Sequence, residues 1–290
     1  MTDIPDLSSP REVKALLEKH GLQPRKQLGQ NFLVDGNIVR KIIAAVGAEE
    51  GDSVVEVGPG AGVLTVALAH LGTNLLALEI DRGLASMLED LLKPWPGARI
   101  IRRDVLKINW RELISDYFIT PETVKLVSNL PYVISGPFMY GLFKEGFPFK
   151  TAILMLQKEV AHRLVANPGD SDYGGLSVLS RYYTEGKVLF NVSNNVFWPR
   201  PKVGSAVLHL QPRHRMLNEV EEKLLWYLVQ GVFEQRRKTM FNNMVRIFPG
   251  LRSKMHDLFS EASIEPNARP EDLTVERFAM LTQITYNYDE

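Results

Sequence analysis

The chain has 290 residues, 34 Lys plus Arg balanced by 34 Asp plus Glu, and no cysteine. That length exceeds one typical domain and leaves room for a large core plus a smaller module. An apolar share of 45% with 23% charged residues excludes a disordered chain, and zero cysteine excludes disulfides, thiolate-held metals and thiol catalysis. No apolar run approaches the roughly 18 residues of a membrane helix. The opening residues, MTDIPDLSSPREVK, lack the apolar core of a signal peptide, so a cytoplasmic location is expected. A net charge of zero argues weakly against a protein that coats nucleic acid.

PREVKALLEKHGL reads as an amphipathic helix ended by Gly21. Residues 37–46 read as a second helix, Ser53–Val57 as a buried strand and Gly62–Leu71 as a helix. Leu75–Ile80 is the next strand, followed by a helix to Leu92, then the strands Ala98–Arg102 and Val124–Ser128. Ala152–Leu156 follows, running into a charged helix, Gln157–Ala166. Strands alternating with helices imply an α/β fold with a parallel sheet covered on both faces. Lys187–Val192 and Ser205–Leu210 lie close together across a Pro-rich loop and suit an antiparallel end to that sheet. After Arg213 the strand signal stops, and residues 219–290 are helical in period, with Val220, Leu224, Leu228 and Phe233 near one stripe. The expected organisation is an N-terminal segment (1–36), an α/β domain (37–213) and a helical domain (214–290).

Two runs lack acids. Phe197–Met216 carries Arg200, Lys202, Arg213 and Arg215, and Gln235–His256 carries Arg236, Arg237, Lys238, Arg246, Arg252 and Lys254. Such runs are often solvated faces, but two of them in a neutral chain suggest a phosphate-facing surface. The strand at Val57 enters Gly58-Pro59-Gly60-Ala61-Gly62, where glycine permits close backbone approach to a ligand. The pattern is acid-x-Gly-x-Gly-x-Gly, not the dinucleotide fingerprint, and alone it is a weak signal. Glu79 and Asp104 end the next two strands. Each alone also suits a helix N-terminus. Together they fit the strand ends where open α/β sheets bind ligands, as acceptors for a ribose and an adenine amino group. The fourth strand delivers Asn129-Leu130-Pro131-Tyr132, which reads either as a plain turn or as a clamp on a planar group bearing an NH2. The His residues show no ligand pairing, and no metal is expected.

These segments resemble the KsgA-type ribosomal RNA adenine dimethyltransferases over nearly the whole chain. The likeness rests on Lys26-Gln27-Leu28-Gly29-Gln30-Asn31-Phe32-Leu33, the Gly-rich loop from Glu56, Glu79, Asp104 and Asn129–Tyr132. It extends through Leu156–Ala161, Tyr173–Ser177, Phe197–Ser205 and Phe233–Thr239. The resemblance implies a Rossmann-like methyltransferase sheet and S-adenosylmethionine as cofactor. It implies a cofactor pocket of Gln30, Asn31, Leu33, Gly58, Gly60, Glu79, Ile80, Asp104, Val105 and Asn129. Catalysis would lie with Asn129, Leu130, Pro131 and Tyr132, and Phe197 would stack on the target base with Tyr132. Arg200, Lys202, Arg236, Arg237 and Lys238 would face RNA. The implied partner is small-subunit ribosomal RNA in a precursor particle, bound by a monomer. The rivals are a resistance-type enzyme acting on large-subunit RNA, a non-enzymatic nucleic-acid-binding relative, and a protein or small-molecule N-methyltransferase with a related clamp, which the basic C-terminal module disfavours. The Gln-Arg-Arg-Lys-Thr segment favours the small-subunit enzyme.

Overall fold

The computed structural model describes residues 7–289. Helix α1 (Pro10–Lys19) and strand β1 (Phe32–Leu33) precede α2 (Gly36–Val46). Then follow β2 (Ser53–Val57), α3 (Val63–His70), β3 (Asn74–Glu79), α4 (Arg82–Leu91), β4 (Ala98–Arg102) and α5 (Trp110–Tyr117). The chain continues through β5 (Lys125–Asn129), α6 (Ser135–Lys144), β6 (Thr151–Gln157), α7 (Lys158–Val165) and α8 (Gly175–Tyr183). It returns to strand in β7 (Thr184–Val192), β8 (Phe197–Trp198) and β9 (Ser205–Pro212). Helices α9 (Glu219–Glu234), α10 (Met240–Ile247), α11 (Met255–Glu261) and α12 (Val275–Asp289) complete it. No helix among the described residues is long and apolar enough to cross a membrane.

The large sheet has seven strands in the order β4-β3-β2-β5-β6-β9-β7. Strands β4, β3, β2, β5 and β6 run parallel, and β9 pairs antiparallel with β6. This is the expected Rossmann-like sheet, mostly parallel, with an antiparallel strand near its end. Order reverses between β2 and β5, and that switch opens a crevice at the strands' carboxyl ends. Val54, Val55, Leu75, Leu76, Leu126 and Val127 are buried with at most 2% exposure, as strands covered on both faces require. Local chemistry sets the helix ends. Asp35 accepts from the N–H groups of Asn37 and Ile38 at 2.8 and 3.0 Å to start α2. Asp81 does the same for α4, with Gly83 and Leu84 at 2.8 and 3.1 Å.

The chain folds as two compact units. Among the described residues, one holds 7–161 and 186–212, the other 162–185 and 213–289. The contiguous 37–213 domain expected from the sequence is thus interrupted, because α8 packs with α9 and α12. Val178 and Leu179 of α8 are fully buried, Tyr182 is too, and the Tyr182 hydroxyl donates to Glu222 of α9 at 3.1 Å. The stripe expected on α9 is rotated: Val220 is 53% exposed, while Leu225, Leu228, Val229 and Val232 are buried. In the α/β unit, Val13 and Leu17 of α1 are buried against Phe32 and Leu88, which fixes the N-terminal segment to the α4 side. Strands β1 and β8 pair antiparallel, Leu33 opposite Phe197 and Phe32 opposite Trp198.

Candidate active site

At the carboxyl ends of β2, β3 and β5 lies a cleft of about 1150 Å³ including its mouth. All ten expected cofactor positions line it: Gln30, Asn31, Leu33, Gly58, Gly60, Glu79, Ile80, Asp104, Val105 and Asn129. Leu130, Pro131, Tyr132 and Phe197 line it too. The glycines are there for steric reasons. Gly58 has φ +66°, and a Cβ on it would sit 3.3 Å from Pro131. Gly60 has φ +58°, and its Cβ would meet the Phe32 ring at 3.0 Å.

Glu79 is 5% exposed. Its Oε1 accepts from the N–H of Asp81 at 2.9 Å and its Oε2 from that of Gly60 at 3.3 Å. Burial raises its pKa, and those two N–H bonds work against the rise. A carboxylate has about four lone-pair sites, so acceptors remain for two hydroxyls. Asp104 accepts from the Leu106 N–H at 3.1 Å through Oδ1, and Lys107 lies 3.8 Å from Oδ2. Ile80 is 46% exposed in this cleft beside Val105, an apolar flank for a flat heterocycle. The carboxylates, the open apolar flank and the glycine cradle fit an adenosine bearing a positively charged chain.

Glu56, the acid that opens the acid-x-Gly-x-Gly-x-Gly pattern, was not among the expected cofactor residues. It lines the cleft at 1% exposure, and its Oε2 has no hydrogen-bond partner among the described residues. Burial, reinforced by the charge of Glu79, pushes its carboxyl up to about 8. A single acid among four other residues of β2 was the available signal.

The tetrapeptide follows β5. Asn129 Nδ2 donates to the Asn31 carbonyl at 3.4 Å, which leaves Oδ1 as the free end of the amide. Asn31 in turn donates to the Gly29 carbonyl at 3.0 Å. The Pro131 carbonyl accepts from the Ile134 N–H at 3.1 Å and the Ser135 hydroxyl at 3.3 Å. No hydrogen bond reaches the Leu130 carbonyl among the described residues. Tyr132 shares a 2.6 Å hydrogen bond with Ser205 Oγ, and burial raises its phenol pKa. Ser205 is fully buried. It belongs to the Pro-Lys-Val loop motif, but nothing in the sequence joins it to a tyrosine 73 residues away. Phe197 is 4% exposed, with one side in the core beside Leu33 and Val39.

Replacing Ser205 by Ala should cut turnover about fivefold, from a hydrogen bond contributing about 1 kcal/mol to Tyr132 placement. Tyr132→Phe should do the same, and the double variant should be no worse than either. Steady-state kinetics on the three variants checks this; additive losses would break the coupling.

The basic residues distribute unevenly. Arg200 is exposed and bonds Asn194 Oδ1 at 3.1 Å, and Lys202 is exposed. In the helical unit, the Arg236 guanidinium pairs with Glu271 and donates to the Ser171 carbonyl at 3.1 Å. Arg237 and Lys238 are exposed. Buried Asn243 holds their loop, with Nδ2 within 3.2–3.4 Å of the carbonyls of Gln235, Lys238 and Thr239.

Residues 21–286 match the family described as ribosomal RNA adenine dimethylase. The small-subunit ribosomal RNA methyltransferase A of Levilactobacillus brevis is 39% identical over 98% of both chains. A dimethyladenosine transferase from Plasmodium falciparum superposes with a TM-score of 0.70 at 25% identity, covering 88% of this chain and 96% of that one. The 23S rRNA methyltransferase ErmE shares the fold, with a TM-score of 0.64 at 24% identity over 88% of this chain and 99% of its own. A family match over most of the length, joined by a full-length relative at 39% identity, shows that this chain belongs to the ribosomal RNA adenine dimethylases.

Proposed function

We propose that this protein methylates N6 of two adjacent adenosines in the 3′-terminal hairpin of small-subunit ribosomal RNA, twice each, using S-adenosylmethionine. It would act as a monomer on a precursor particle during ribosome biogenesis. The observation that carries this reading is the convergence of Glu79, Asp104 and Asn129–Tyr132 on one cleft.

Bound S-adenosylmethionine supplies a methyl group on a positively charged sulfur. Glu79 would accept from the ribose hydroxyls and Asp104 from the adenine amino group. Gly58 gives the methionine portion room to pass. The chemical difficulty lies at the target N6, whose lone pair is delocalised into its ring. Asn129 Oδ1 and the Leu130 carbonyl would each accept one N6 hydrogen. That holds the nitrogen closer to tetrahedral with its lone pair aimed at the methyl group. The Pro131 carbonyl already accepts from Ile134 and Ser135, which favours Leu130 as the second acceptor. This is preorganised electrostatics plus positioning. The N6 lone pair would form a new N–C bond to the methyl group that the cofactor supplies, the electrons of the old bond would stay with sulfur, and the cationic nitrogen would then lose a proton to water. Tyr132 and Phe197 would stack on the base after it leaves its helix.

In the helical unit, Arg237 and Lys238 would face phosphates, with Arg236 acting as the pin of their loop. Replacing Arg237 and Lys238 by Gln should lower the salt slope of RNA binding by about 1.4, at about 0.7 per phosphate contact on single strands. Arg236→Gln should instead lower the melting temperature. Filter binding across salt and thermal melts separate the two.

The whole reading is tested by incubating the protein with S-adenosylmethionine and undermethylated small-subunit particles and mapping the modified bases. Dimethyladenosine at two adjacent hairpin positions supports it. Modification of large-subunit RNA alone, or of nothing, overturns it.

A further inference from the structure

A second groove, about 1750 Å³ with its mouth, opens in the same α/β unit beside the cofactor cleft. We propose that it holds the single-stranded nucleotides flanking the target adenosine, with Trp198 as a stacking surface and Lys14, Lys26, Arg200 and Lys202 on their phosphates. The inference rests on the RNA-methylating function proposed above and assigns the strand's path into that site.

Position is the first argument. Groove and cleft share Gly29, Gln30, Asn31 and Tyr132, so the Tyr132 side chain stands between them. With cofactor in the cleft, a base stacked on Tyr132 reaches it from the groove side. A base that has left its helix leaves neighbours that are locally unpaired. Those neighbours need a site that accepts stacked bases and a charged backbone.

Charge is the second. The lining brings four cations together against one carboxylate among the described residues, Glu18. Lys14 lies 3.7 Å from Glu18 and largely offsets it. In a chain of zero net charge, this is a local excess of positive charge at the entrance to the reacting atoms.

Rigidity is the third. One wall is α1 and the turn after it, the other the 198–203 loop. Alpha1 is anchored by fully buried Val13 and nearly buried Leu17. The turn is tied down by Arg25, which pairs with buried Asp81 at 3.1 Å, and by the Gln30 side chain, which accepts from the Arg25 N–H at 2.7 Å. Trp198 stacks on Phe32 with centroids 6.4 Å apart and planes 30° apart. One face is thereby supported while the side chain still lines the groove. Cations beside a braced aromatic surface suit a single strand, where each stacked base contributes about 1–3 kcal/mol.

The test uses the full chain, S-adenosylmethionine and small-subunit RNA with 2-aminopurine next to a target adenosine. Binding to wild type should quench the probe, and Trp198→Ala should restore at least half of the lost fluorescence. The exposed pair Lys14→Gln/Lys26→Gln should raise KM for RNA about tenfold and lower its salt slope by about 1.4. Its kcat and cofactor affinity should stay within twofold. If Trp198→Ala fails to fold, the lysine pair decides alone. A wild-type KM and salt slope in that pair would overturn the groove assignment while leaving the methylation reading intact. Failure of wild type to modify the RNA would instead overturn the reading beneath it.

Discussion

Asn129→Ala is expected to lose about 10² to 10³ in turnover, the range seen when one preorganised polar contact to a reacting centre is removed. Cofactor affinity should change little, since Glu79, Asp104 and the glycine cradle remain. The loss should appear in kcat, because the contact matters most as N6 becomes tetrahedral and cationic. Tyr132→Ala should show the same pattern with RNA affinity reduced as well, because stacking acts on the bound base before the reaction. A methyl-transfer assay paired with calorimetry of S-adenosylmethionine binding checks both. Near wild-type turnover in either variant would end the clamp mechanism.

Glu56→Gln should make the empty protein more stable at pH 8 and above, yet no more stable near pH 4.5. In the unfolded chain this carboxyl ionises around 4.5, whereas in the fold burial pushes it up to about 8. Between those values the folded state holds one proton more than the unfolded state. Wild-type stability therefore falls as pH rises through the window, by roughly 5 kcal/mol at most. Glutamine has no such proton, so its advantage should grow across the same window and then level off. Urea midpoints for both proteins at several pH values check the sign. Binding should move oppositely. Ionised Glu56 favours a cationic ligand, so wild-type affinity for S-adenosylmethionine should climb toward pH 8 and the Gln variant should lose that climb. A parallel pH profile in the two proteins would mean that Glu56 does not interact with the ligand's charge.

Much of the cleft was legible because its parts sit at places that local patterning marks. Apolar runs identify the strands, parallel order follows from the intervening helices, and Glu79 and Asp104 then fall at ligand-facing ends. Contacts between distant segments left no such mark. Ser205 meets Tyr132 across 73 residues. Strands β1 and β8 have two residues each, too few to show a period. Helix α6 was not among the expected elements, and it carries Gly136 and Pro137, poor helix formers, near its start. Pro137 is tolerated because it lies in the first turn, where its missing N–H has no helical partner to lose. Arg236 illustrates the limit for charges, since composition groups it with Arg237 and Lys238 and only the fold turns it toward Glu271.

The helical unit draws on two separated stretches, 162–185 and 213–289. The polypeptide thus leaves the α/β unit, returns to supply β7, β8 and β9, and leaves again. Trimming the chain after Pro212 would not excise a module, because α8 would stay behind with Leu176, Val178, Leu179 and Tyr182 stripped of their cover. Such a unit cannot be acquired or discarded as a tail. Any chimera that exchanges it with a relative must splice at three junctions rather than one.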